Sequence, residues 1–221
     1  MTDRSCAIGV LISGSGSNLQ ALIDRCADGT IPGRIALVIS NNPGVLGIER
    51  AQRAGIPVTV IDHRGFDRRE AFEQAMAREL DAAGVALVCL AGFMRVLTSW
   101  FVGHYQGRLL NIHPALLPAF PGLHVQQQAL EAGVRFSGAT VHFVSTTVDA
   151  GPIVAQAVVP VLPDDDVPAL SRRILVQEHR IYPLAARLFA QGRLHIVGNR
   201  VLIDTPRELP DQALINPSPR V

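Results

Sequence analysis

The chain has 221 residues, a formal net charge of +1, 48% apolar and 18% charged side chains. That balance excludes a disordered chain and describes one well-cored domain, with no electrostatic reason for a nucleic-acid or membrane partner. All 20 strongly basic side chains are arginines, which excludes Schiff-base chemistry and a Walker-type phosphate lysine.

Apolar runs bounded by Gly, Pro and Asn alternate with amphipathic stretches. Residues 6–13 read as a buried strand, 18–27 as a helix, 34–40 as a second strand, 46–54 as a helix and 57–62 as a third strand. Residues 66–83 read as a long helix, with Phe66, Phe72, Met76 and Leu80 near helical spacing. A fourth strand spans 85–91 and a fifth Leu109–His113. Continuous apolar strands separated by helices imply a Rossmann-like α/β fold, a mostly parallel sheet with helices on both faces.

The style then changes. Residues 138–144 and 151–161 read as strands with no room for a helix between them, hence as antiparallel additions. Residues 167–191 read as a long helix that Pro183 should kink, break or restart. Leu194–Val197 and Arg200–Ile203, joined through Gly198-Asn199, read as a closing hairpin. Residues 1–205 are expected to form one domain and 206–221, rich in Pro and polar groups, a loose tail. The three cysteines include no CxxC pair and read as free thiols, Cys6 and Cys89 buried in strands. The chain shows no leader pattern and no apolar run of membrane-spanning length, so a cytoplasmic protein is expected.

Three places carry chemistry. The first strand ends in GSGSN, residues 14–18, and a helix follows. Glycines let a backbone approach an anion, and the free N–H groups of a first helical turn favour phosphate; the competing reading is an ordinary turn capped by Ser17 or Asn18. The dinucleotide fingerprint fails, because its third glycine would fall at Leu19. The second place is Asn111 and His113, two apart on one strand and so on one face, followed by Pro114. An amide beside a proton donor suits a reaction that develops charge on a carbonyl oxygen. The third is Asp149, which is either a turn residue or a carboxylate that holds an imidazole. Among the other histidines, His124 and His142 are candidates to line the same cleft, and His63, His104 and His195 read as surface residues. No His/Cys cluster has metal-ligand spacing, so no metal is expected. The run 164–166 (DDD) reads as capping of the helix that follows.

The segments GSGSN, AGFMRVL (91–97), LLNIHPALLPAFPGLH (109–124), VHFV (141–144), DAGPI (149–153) and QEHRIYP (177–183) stand in an order that resembles the glycinamide ribonucleotide formyltransferases. The similarity covers roughly residues 7–202. The resemblance implies transfer of a formyl group from 10-formyltetrahydrofolate, as co-substrate, to the amine of glycinamide ribonucleotide. It places Asn111, His113 and Asp149 at catalytic positions, and Gly16, Ser17 and Asn18 at the phosphate. Glu178 falls at the ribose hydroxyls. Met94, Arg95, Val96, Leu97, Asn111, Ser145, Thr146, Thr147, Val148 and Asp149 fall at the folate, with Arg69 near its glutamate tail. The chain departs from the family pattern at Ala119, often basic, and at Leu175, commonly polar. Small-molecule partners and a monomer or homodimer are implied. The alternatives are a formyltetrahydrofolate hydrolase and a non-catalytic ligand-binding relative.

Overall fold

The computed structural model describes residues 5–204. Their strands form one nine-stranded sheet in the order β3-β2-β1-β4-β5-β6-β7-β9-β8. Strands β1 (Cys6–Ile12), β2 (Gly33–Ser40), β3 (Val58–Val60), β4 (Leu87–Leu90) and β5 (Leu109–His113) are mutually parallel. The chain winds from β1 outward to β3, then returns across β1 to lay β4 and β5 on its other side. Such a reversal opens a crevice at the carboxyl ends of the strands, where ligands bind in open α/β sheets.

Beyond β5 the direction changes. β6 (Phe136–Phe143) runs antiparallel to β5, and β7 (Ile153–Pro160) antiparallel to β6. The hairpin β8 (Leu194–Val197) and β9 (Arg200–Ile203) closes that edge through a parallel contact of β9 with β7. These are the antiparallel additions that the sequence implied.

Two apolar clusters cover the two faces. α1 (Ser17–Ala27) and α6 (Val167–Ala190) pack with Val10, Cys89, Leu110 and Val141. α3 (Arg69–Ala82) and α4 (Ser99–His104) pack on the other face with Leu11, Val88 and Leu109. α2 (Leu46–Arg53) lies beside α1, and α5 (Val125–Glu131) beside α6. Cys89 is buried and free as expected, whereas Cys6 is only half-buried.

Several expectations need correction. α6 is unbroken through Pro183. Ile181, Tyr182, Pro183, Ala185 and Ala186 are all buried there, and that packing offsets the one backbone bond that proline removes. α3 begins at Arg69 rather than at 66, because His63–Gly65 form a 3-10 turn and Phe66 is extended, its ring set edge-on to Phe72. The short helices α4 and α5 have too few buried positions to show a helical period. Asp166 does cap α6 by accepting from Ala169 N–H, while Asp165 pairs with Arg173. The expected tail lies outside the described residues.

Gly138 on β6 marks a close approach that fixes the sheet near the site. A Cβ built there would lie 1.9 Å from the Ala157 carbonyl oxygen of β7. Gly138→Ala must therefore part β6 from β7, and a cost of about 1–3 kcal/mol is expected for such overpacking. A thermal melt should show a clearly lowered midpoint.

Candidate active site

The loop after β1 is held from behind. Gly47 N–H of α2 donates to the Gly14 carbonyl at 3.1 Å, and Arg50 Nε donates to the Ser15 carbonyl at 2.9 Å. Gly16 is the N-cap, in left-handed conformation with φ 69°, and no side chain caps the helix. The capping role considered for Ser17 or Asn18 is thus absent, which leaves the first-turn N–H groups for an anion. Gly16 is required twice over, by its φ and by a neighbour: a Cβ there would meet Gly47 Cα at 2.7 Å.

Asn18 instead turns its Nδ2 to Glu178 Oε2, a 2.7 Å bond that joins α1 to α6 across 160 residues of sequence. Asn18 Oδ1 is buried without a hydrogen-bond partner, an acceptor waiting for a donor. Burial raises the Glu178 carboxyl above the usual range, opposed by the Asn18 bond and by the nearby His113. A cavity of about 250 Å³ adjoins this corner, lined by Ser17, Gln20, Asp24, Arg50 and His179.

β5 and β6 supply the second part. Asn111 lies opposite His142 and His113 opposite Thr140. Partners fix the His142 tautomer: Nδ1 faces the Phe143 carbonyl at 3.0 Å and must donate, so Nε2 accepts from Asn111 Nδ2 at 3.2 Å. Burial pushes His142 below the usual imidazole range, against the Phe143 carbonyl and Asp149, which keeps this neutral tautomer. The 3.7 Å approach of Asp149 Oδ1 to the same Nε2 is then a loose contact rather than an ion pair. Asn111 is oriented by that bond and keeps a second amide hydrogen to offer.

His113 is almost wholly buried. Its Nε2 lies 2.9 Å from the Phe120 carbonyl and its Nδ1 3.5 Å from Asp149 Oδ2. Both nitrogens thus face oxygen atoms. Asp149 Oδ2 also accepts from Gly122 N–H at 2.9 Å. Phe120 and Asp149 are two of the three non-glycine residues at positive φ among those described, at 55° and 53°. Backbone held in that region points to a site whose geometry is imposed by its surroundings.

The remaining expected residues sit around this centre. Met94, Arg95, Val96 and Leu97 form the loop after β4, with Met94 and Val96 exposed. Thr98 ends that loop and is anchored by the buried Glu73 of α3, which accepts from its N–H at 2.8 Å and also from its hydroxyl. Arg69 is exposed one turn before Glu73 on the same helix. Ser145, Thr146, Thr147 and Val148 lead to Asp149 in a loop tied by Ser145 Oγ donating to the Thr147 carbonyl. Asp149 also lines a cavity of about 510 Å³, together with Leu117, Pro118, Gly151 and Arg200 among others.

The structure thus brings together Asn111, His113 and Asp149, and separately Ser17, Asn18 and Glu178. Sequence reasoning left His142 as one of two cleft histidines; it belongs to the cluster, whereas His124 is exposed at the start of α5. Phe120 was missed altogether, since a carbonyl role leaves no mark on residue type. His63, read as a surface residue, is half-buried against Asn41.

Comparison with known proteins gives the family. The formyl transferase family matches residues 7–186. The chain belongs to that family. It is 48% identical over 203 residues to phosphoribosylglycinamide formyltransferase of Escherichia coli K12, covering 92% of this chain and 95% of that one. It is 55% identical over 194 residues to the trifunctional purine biosynthetic protein adenosine-3 of Drosophila melanogaster, covering 87% of this chain but spanning only 14% of the length of that protein. The crystal structure of glycinamide ribonucleotide transformylase 1 from Symbiobacterium toebii superposes with a TM-score of 0.89 at 56% identity, over 92% of this chain and 95% of that one.

The neutral, buried His142 makes a pH prediction. Unfolded, it binds a proton near its reference value of about 6.5; folded, it does so only at lower pH. Unfolding then takes up protons, so this contribution to stability is complete above the unfolded value and is lost as pH falls. His179, lowered by burial and by Arg50, adds the same sign. His142→Gln should lose less thermal stability than the wild type between about pH 7 and pH 5, a window centred near the reference value. Equal losses in paired melts would contradict this assignment.

Proposed function

We propose that the protein transfers the formyl group of 10-formyltetrahydrofolate to the primary amine of glycinamide ribonucleotide, giving formylglycinamide ribonucleotide in purine biosynthesis. The observation that carries the reading is the convergence of a carboxylate, an imidazole and an oriented carboxamide between an uncapped helix N-terminus and the loop 91–97. The full-length similarity to the Escherichia coli enzyme supports it. With it go small-molecule partners and a cytoplasmic setting; among the described residues no helix is long and apolar enough to cross a membrane.

The first turn of α1, from Ser17, receives the phosphate, through N–H groups and the helix dipole. Glu178, already bonded to Asn18, accepts from the ribose hydroxyls, and the orphan Asn18 Oδ1 gains a donor on the same side. The loop Met94–Leu97 and the 145–149 loop bracket the folate, and the exposed Arg69 is the cation for its carboxylates. The substrate amine attacks the formyl carbon; a C–N bond forms, negative charge gathers on the formyl oxygen, and the bond to the folate nitrogen then breaks. Asn111 offers its second amide hydrogen to that oxygen. His113 can join only by exchanging the Phe120 carbonyl for the reacting group at Nε2. The amine gives up one proton and the departing folate nitrogen gains one, carried by His113 or a water beside it. Asp149 holds the imidazole at Nδ1 throughout.

Incubation with both substrates, followed by folate absorbance, tests the reading. Deformylated folate should appear only when the ribonucleotide is present. Its appearance without ribonucleotide would identify a hydrolase, and no turnover a non-catalytic relative. Asn111→Ala and Asp149→Ala should each lower kcat by about 10²–10³, the usual loss for an oxyanion-hole group, with the fold retained. Asn18→Leu, by contrast, should chiefly raise KM for the ribonucleotide; a normal KM with a slower folate step would contradict its placement.

A further inference from the structure

Ser13 stands between β1 and the GSGSN loop and touches neither proposed substrate. It is buried, and all of its polar groups are committed to other strand ends. Its N–H donates to the Gly92 carbonyl at 3.2 Å, and its carbonyl accepts from Asn42 Nδ2 at 2.9 Å. Its hydroxyl donates to Asn41 Oδ1 at 2.6 Å and accepts from Met94 N–H at 2.8 Å. Asn41 is itself buried, and its N–H meets the Ile12 carbonyl at 3.3 Å. One residue therefore joins the carboxyl ends of β1, β2 and β4.

The placement matters because Ser13 is joined to Gly14 by the chain and to Met94 by a hydrogen bond. Gly14 opens the loop that presents N–H groups to an anion. Met94 lies in the loop after β4 that ends at Thr98. The Ser13 hydroxyl is a direct covalent-plus-hydrogen-bond link between them. Fixing the GSGSN loop on a ligand must fix Ser13, and through it the Met94 amide. Removing the hydroxyl takes the partner from the Met94 N–H and from the buried Asn41 Oδ1, so the 91–97 loop loses its reference point at β1.

We infer that Ser13 is a positioning residue that couples the ribonucleotide and folate sites, so that each substrate tightens the binding of the other. This rests on the function proposed above and adds to it a residue and a thermodynamic property. Coupling of this kind is reciprocal: the factor by which the ribonucleotide tightens folate equals the factor for the converse.

The test uses glycinamide ribonucleotide and tetrahydrofolate, which has no formyl group to transfer. Calorimetry on the full chain gives each affinity alone and in the presence of the other. Hydrogen exchange then reports on peptides spanning 14–19 and 91–97. In the wild type the ribonucleotide should tighten tetrahydrofolate by about tenfold, within the usual range for coupled sites, and slow exchange in both peptides. In Ser13→Ala the ribonucleotide should still slow exchange at 14–19 but not at 91–97, and the coupling factor should fall to near one. Ser13→Thr, which keeps the hydroxyl, should restore both. A merely structural role would weaken both affinities and leave their ratio alone. Wild-type coupling retained in Ser13→Ala, or a wild type that binds both ligands independently, overturns the inference. Should Ser13→Ala not fold, the wild type decides: 91–97 amides indifferent to bound ribonucleotide overturn it as well. A wild type that binds neither ligand overturns the functional reading and the coupling with it, and so is distinguishable from failure of the coupling alone.

Discussion

Asp149 faces His113 and His142 only because its backbone is forced to φ 53° in a loop that folds back over the sheet. An extended conformation there would carry the carboxylate away from both rings. Gly122 N–H holds the carboxylate from the opposite loop, and that loop in turn places the Phe120 carbonyl on the second nitrogen of His113. The imidazole is thus gripped from two loops at once, 120–122 and 145–149. Its use in catalysis follows from this grip, because a ring held between acceptors has a defined orientation before any substrate arrives.

The sheet makes that arrangement possible by changing direction at β5. Parallel strands bring their carboxyl ends to one edge, which serves the phosphate loop and the 91–97 loop. The antiparallel β6 then sets His142 directly opposite Asn111. Tyr182 reinforces the junction from α6, with its buried hydroxyl set 3.0 Å from the Leu90 carbonyl and 3.1 Å from that of Leu110, the residue before Asn111. The same helix carries Glu178 one turn earlier, so α6 serves both halves of the site. That double duty explains why an interior proline is tolerated: the helix is fixed by burial on the sheet rather than by its own ladder.

Much of this was legible in the chain itself. β5 was bounded correctly at Leu109–His113 because its apolar run is clean and Pro114 stops it. The hairpin of β8 and β9 was read from Gly198-Asn199, where Gly198 does take positive φ, at 59°. The period of two put Asn111 and His113 on one face. The motif order identified the family. What was missed shares a cause. α4 and α5 are each under two turns long and held by two buried side chains, and their local pattern is indistinguishable from loop. The uncapped start of α1 depends on Gly47 of another helix, and the 3-10 turn before α3 on Asp62 accepting from Arg64 N–H.

The sequence by itself determined the strands, the face each side chain takes and the chemical types available, because alternation and turn chemistry are local properties of the backbone. Only the tertiary structure decided which of seven histidines meets Asp149, that Asn18 spends its amide on Glu178, and that Ser13 joins the two loops. Those pairings span 36, 160 and 81 residues between His113 and Asp149, Asn18 and Glu178, and Ser13 and Met94. A periodic pattern fixes direction but not partner. Partners are chosen when strand order, register and a few imposed backbone angles bring distant segments within hydrogen-bond reach.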